Sequence, residues 1–285
     1  MVRKFYLENE KGQKYDLMDR DNYCFLYEPS GLGYSYSTDY MLLGNTFIEN
    51  IRTMEKGLIS GSLVTRYYDN IKDFIDFVEQ AETLKIAYTV PFDKKSPVTY
   101  YKDIKIASLE KTEKEVTSGM LITPVTFDCL SLWYEKNEVI YTITKKEREI
   151  RWNFRWASRF TSYNSRNIVF NNKGHVEAPI SVEMEGYLIN PCISVYVNGK
   201  ETYRLKIPIT LQEFEKLLYN TSDNNIYIYK QEKDGTLTSL FKNEYIDVSK
   251  NNIFKLPKGV SEVRLTADNE VLNAKLTIME LYKAV

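Results

Sequence analysis

Met120-Leu121-Ile122-Thr123-Pro124-Val125-Thr126-Phe127-Asp128-Cys129-Leu130-Ser131-Leu132-Trp133 is the stretch whose reading decides the fold. It is rich in the β-branched and aromatic residues that fit a pleated, half-buried surface. Two stretches of the same texture precede it, Leu84 to Val90 and Tyr100 to Leu109. Pro91, Pro97 and a charged turn around Glu113 to Gly119 separate the three. Further upstream, Gly57 to Val64 alternates as a strand does, with an expected bulge at Gly61. Lys4 to Leu7 and Lys14 to Leu17 flank Asn9-Glu10-Lys11-Gly12 and read as an opening hairpin, and Pro29-Ser30-Gly31-Leu32-Gly33 reads as a turn. A single helical pattern interrupts the strands. Ile71, Phe74, Ile75, Val78 and Ala81 recur at helical spacing, with Asp69 or Asn70 placed to cap the N-terminus, so a helix is expected near 69–82. The first half is therefore a β barrel or sandwich with one packed helix.

Between Glu135 and Arg166 the texture changes, and Lys145-Lys146-Glu147-Arg148-Glu149 leads into Trp152-Asn153-Phe154-Arg155-Trp156. A domain boundary is placed near residue 150, dividing the chain into 1–148 and 149–285. Downstream, Asn167 to Phe170, Ala178 to Met184, Ile193 to Val197 and Arg204 to Ile207 are strand-like, and Asn198-Gly199 signals a type I′ hairpin. Thr210-Leu211-Gln212-Glu213 fits a helix capping box, yet Glu215 to Asn220 fits a strand equally well. Ile226 to Lys230, Ser261 to Ala267 and Ala274 to Leu281 alternate apolar and polar residues. The second half thus also reads as an antiparallel β-sandwich.

Composition narrows the function classes. Lysine plus arginine (38) nearly cancels aspartate plus glutamate (39), so no global field draws the chain to nucleic acid or to an anionic membrane. No apolar run approaches the roughly 18 residues needed to span a bilayer. Met1 to Leu7 has no signal-peptide core, so folding in a cytosol is expected. Cys24, Cys129 and Cys192 form no C-x-x-C pair and suggest neither a disulfide framework nor a zinc site. Tyrosine is abundant at 23 copies, which suits half-buried sheets and polar interfaces because the ring is covered while the hydroxyl stays wet.

Catalytic constellations are not evident. The one histidine, His175, lies in the turn-like Asn171-Asn172-Lys173-Gly174-His175-Val176, with no nucleophile elbow anywhere to serve. Glu183 and Glu185 share one face of an expected strand and could in principle work as a glycosidase pair. Alternating charge on a solvent face explains them more simply. Gly31-Leu32-Gly33 lacks the third glycine and the lysine of a phosphate loop. No enzyme activity, cofactor or metal is expected. Trp152, Phe154 and Trp156 are the candidate contact residues, either packing at the domain junction or touching a partner.

Three stretches in the first half, Pro29 to Tyr34, Gly57 to Leu63 and Pro124 to Tyr134, resemble in order the distal tail proteins of phages that infect Gram-positive bacteria and of related prophages. Asn171 to Ile180, Gly186, Asn190-Pro191 and Asn252 to Val260 extend the resemblance through the second half. The resemblance implies a structural tail-tip or baseplate component made in the bacterial host's cytoplasm. It further implies a homohexameric ring with a galectin-like, jelly-roll C-terminal sandwich, and a strand at Glu215 to Asn220. The partners so implied are other copies of the chain, the tail tube, the tape measure protein, the hub or tail-associated lysin, and a receptor-binding protein. A carbohydrate-binding module gripping bacterial surface glycans through the C-terminal sandwich is the alternative.

Overall fold

The computed structural model describes residues 4–19, 24–90, 97–110, 112–143, 167–242, 244–246, 251–269 and 272–285. Two compact units divide the chain, residues 1–135 with 282–285, and residues 136–281. The expected boundary near residue 150 lies outside the described residues, as do Trp152, Phe154 and Trp156.

The first unit contains β1 (Lys4–Asn9), β2 (Lys14–Asp16), β3 (Met18–Asp19), β4 (Cys24–Ser30), β5 (Tyr36–Leu43), β6 (Thr46–Met54) and β7 (Leu58–Thr65). Helix α1 (Tyr68–Glu79), β8 (Leu84–Val90), β9 (Val98–Leu109), β10 (Leu121–Cys129) and the start of β11 (Trp133–Ile143) follow. The opening stretch of the sequence behaves as its alternation dictates. Leu121, Thr123, Val125, Phe127 and Cys129 of β10 are buried, and the intervening residues face outward. Strand β10 lies between β7 and β9, and neighbours extend the sheet to β4 on one side and through β8 to β1 on the other. Leu17 then joins the two ends. Its N–H donates to the Phe5 carbonyl and its carbonyl accepts from the Leu26 N–H, so the sheet closes on itself around Phe5, Leu7, Leu26, Ile59, Leu63 and Phe127. Closure leaves few edge groups to solvent.

Helix α1 seats the fully buried Phe74 in this core, and Tyr15 meets the rings of Phe74 and Phe77. It starts one residue after Tyr67 rather than at an Asp69 or Asn70 cap, and no side chain caps it. Ile75, although in helical register, is exposed. The expected bulge at Gly61 is also displaced, since β7 pairs regularly there and the irregularity falls in β4 between Tyr27 and Ser30. Gly61 instead permits that bulged strand to come close, because a Cβ would stand 2.9 Å from a Leu26 methyl and 3.0 Å from the Tyr27 carbonyl oxygen.

The sequence motifs of this half meet at one place. Trp133 is fully buried and its indole N–H donates to the Leu32 carbonyl at 2.9 Å. The preceding Gly31 has φ +78°, and a Cβ there would lie 1.8 Å from the Leu58 carbonyl oxygen. The Cys129 N–H in turn donates to Gly57.

Strands β12 (Asn167–Asn172), β13 (Ile180–Glu185), β14 (Leu188–Ile189), β15 (Cys192–Val197), β16 (Lys200–Lys206), β17 (Thr210–Leu211), β18 (Lys216–Ser222), β19 (Asn225–Gln231), β20 (Leu237–Ser239), β21 (Gly259–Thr266) and β22 (Leu272–Tyr282) follow. In the second unit a sheet ordered β12-β21-β15-β16 packs on one ordered β20-β19-β18-β13-β22-β11. Val195, Val263 and Leu265 of the first sheet join Ile180, Val182, Met184 and Leu276 of the second in the core. Lys216–Ser222 is a strand, so the capping-box reading gives way. The side chain of Glu215 receives the Gln212 N–H within a turn instead. Asn198 and Gly199 form the two-residue hairpin loop, both with positive φ.

A buried asparagine organises this unit's turns. The Asn172 amide donates to the carbonyls of Val176, Leu256 and Pro257 at 3.0–3.3 Å, and its oxygen accepts the Gly174 N–H. The Asn171-to-Val176 turn is thereby tied to the Leu256-Pro257 turn. Nearby, the buried Tyr219 hydroxyl donates to the Asn252 carbonyl and accepts the Phe254 N–H.

Three tyrosine hydroxyls of the first unit are also partnered. Tyr6 and Tyr101 meet at 3.1 Å, and Tyr134 donates to Asp103 at 2.9 Å. Burial, followed by the hydrogen bond with Tyr6, pushes Tyr101 up to about 12. Burial and the Asp103 carboxylate push Tyr134 higher still. Since the folded state holds these protons more tightly than the unfolded chain, their stabilisation is complete below pH ~10 and is lost as pH rises toward the folded values. Denaturation midpoints should be insensitive to these groups up to about pH 10 and fall between about pH 10 and 12, and Tyr134→Phe should reduce the slope of that fall.

Gly31→Ala should destabilise the chain by more than about 2 kcal/mol, because a left-handed φ and a backbone collision act together. Gly12→Ala, with φ +73° and open space around it, should cost only about 1 kcal/mol. Urea denaturation of the two variants compares them directly.

Candidate assembly surface

The feature that the core does not absorb is the hairpin β5–β6, a two-stranded sheet to which no further strand attaches among the described residues. Gly44 and Asn45 close it in a two-residue loop between Leu43 and Thr46, with φ +62° at Gly44 as a II′ turn requires at its first central position. Its register pairs Met41 with Ile48 and Leu42 with Phe47, and a bulge falls between Asp39 and Tyr40. Because side chains alternate, Met41, Leu43, Ile48 and Ile51 lie on one face, and Tyr40, Leu42 and Phe47 on the other. Both faces are open. Phe47 is 69% exposed, Leu43 62%, and Leu42 and Ile51 59% each. A two-stranded ribbon is marginal in water, and one apolar on both faces gains stability only when something covers it.

Polar contacts hold the root. Ser35 Oγ donates to Glu55 at 2.7 Å, the Glu55 N–H donates to the Ser35 carbonyl, and Arg52 lies 4.2 Å from the Tyr36 ring centre. The sequence carried a signal for this hairpin, Leu43-Gly44-Asn45-Thr46 between two apolar runs, and strand reading alone passed over it.

The residues considered for chemistry do not converge. His175 is exposed, and its backbone N–H donates to Leu281. Glu183 and Glu185 share a single counterion, with Lys216 Nζ at 2.6 and 3.5 Å, and the hydrogen bond to Glu183 raises the Lys216 ammonium above its ordinary range. The three cysteines are buried and none is in a disulfide. Among the described residues no group of three or more histidine, cysteine, aspartate or glutamate side chains could hold a metal ion. No described helix is long and apolar enough to cross a membrane.

The fold is that of phage baseplate proteins. A chain of the phage P2 baseplate in its calcium-activated conformation superposes with a TM-score of 0.66 at 18% identity over 100% of both chains. The strontium-activated form gives a TM-score of 0.65 at the same identity and coverage. The SPP1 Dit protein, described as a paradigm of the hub adsorption apparatus in phages infecting Gram-positive bacteria, superposes at 0.57 with 13% identity over 97% of this chain and 98% of its own. No curated protein matches the chain. Residues 4–130 match the family model "Distal tail protein, N-terminal domain".

Leu42→Ser combined with Phe47→Ser should leave the thermal midpoint of the isolated chain within about 2 °C of the parent, since both side chains already face water.

Proposed function

We propose that the chain is a non-catalytic building block that assembles with copies of itself into a homohexameric ring at the virion tail tip, joining the tail tube to the hub. The observation that carries this reading is the β5–β6 hairpin, apolar on both faces and uncovered. In a cyclic ring each subunit meets its neighbours through two different patches, which suits an arm projecting onto the next copy. Covering a single leucine or phenylalanine contributes about 1.5–3 kcal/mol, so the hairpin can supply much of a contact's stability. The expected division gives ring building to residues 1–148 and a galectin-like domain to residues 149–285, with residues 282–285 returning to the first unit.

The expected partners beyond other copies are the tail tube, tape measure protein, hub or tail-associated lysin and a receptor-binding protein, with synthesis in the host cytoplasm. The absence of enzyme activity is supported by the solitary exposed histidine and by the lysine that occupies Glu183 and Glu185. Glycan binding through the C-terminal sandwich draws no support from the described residues.

Light scattering and cryo-electron microscopy test the ring. The parent chain should form a closed ring of six at high concentration, and the Leu42→Ser/Phe47→Ser variant should remain monomeric while folded. A parent chain that stays monomeric, or a variant that assembles as the parent does, overturns the reading.

A further inference from the structure

We propose that Lys283 is a positioning residue that sets the direction of the β5–β6 hairpin before a second copy is met, an inference that rests on the assembly reading above. Lys283 Nζ donates to the Tyr36 hydroxyl at 2.5 Å and stands 5.3 Å from the Tyr36 ring centre and 5.8 Å from that of Tyr34. The two tyrosine rings meet edge to face at 5.5 Å, and the Arg52 guanidinium covers Tyr36 as well. The Lys283 ammonium thus holds the hydroxyl, and the Arg52 guanidinium the face, of the ring that opens the hairpin, where Tyr36 pairs with Met54.

Lys283 is itself anchored on both sides. The Tyr282 ring packs edge-on against Tyr100 at 5.1 Å, and Val285 packs on the core of the first unit. The grip therefore ties the hairpin root to the closed sheet through a segment 247 residues away in sequence.

Leverage explains why such a tie matters. Eight residues of extended strand reach about 26 Å, so a 10° error at the root would carry the tip roughly 4 Å, about the width of a side-chain contact. Among the described residues no other strand pairs with the ribbon. An arm that must deliver Leu42, Leu43 and Phe47 to a neighbouring subunit needs its root held.

The test uses the full chain at a concentration where it is monomeric. Lys283→Met keeps the apolar stem and removes the charge and the donor. It should raise amide hydrogen exchange within residues 36–54 roughly two- to fivefold, and should speed tryptic cleavage after Arg52, the one lysine or arginine in the hairpin, by a similar factor. Exchange in the core strands should not change, and Lys283→Arg should restore the parent behaviour. Parent-like exchange and cleavage in Lys283→Met, or an equal rise across the whole unit, overturns the proposal. A parent chain that forms no ring overturns the assembly reading instead, and the exchange measurement still decides the role of Lys283.

Discussion

A buried indole must place its N–H, and in this protein the nearest available acceptor dictates much of the first unit. Trp133 has no exposed surface, so an unpaired N–H there would cost about 1–3 kcal/mol. The Leu32 carbonyl meets that need. Leu32 can stand there only because the chain turns at Gly31 against the backbone of Leu58, in a conformation and at a separation that exclude a side chain. The turn then feeds directly into the hairpin, whose first residue is Tyr36. Core packing, a strained turn and the position of the apolar arm are therefore consecutive consequences of one hydrogen bond.

The second unit solves a similar problem with a different side chain. Its turns carry backbone carbonyls into the interior, and Asn172 satisfies three of them from one amide. A polar side chain that is buried and fully partnered specifies an arrangement rather than merely filling space. Glu280 extends the same logic by accepting the Lys173 N–H at 2.7 Å.

The hairpin stands apart because its energetics are incomplete in the single chain. Each core residue recovers its ordering cost from neighbours in its own unit, but Leu42, Leu43 and Phe47 remain largely exposed. Contacts at the root are polar or cation–π, which suits a site that must stay ordered in water. Apolar surface is concentrated in the outer part of the ribbon.

The β character of both halves and the helix α1 could be read from the amino acids because period and turn chemistry are local. Leu121 to Cys129 alternates every second residue, Ile71 to Ala81 follows helical spacing, and Asn198-Gly199 demands positive φ, whatever surrounds them. The order of the turn motifs along the chain also carried the family resemblance. Partners distant in sequence could not be read this way. Trp133 finds Leu32 across 101 residues and Lys283 finds Tyr36 across 247, and local pattern says nothing about either. Nor can alternation distinguish a strand buried in its own core from one whose apolar faces await another molecule, because both require the same residue types. Only the folded chain, with its core filled and its sheet closed, shows that Tyr36 to Met54 has been left outside.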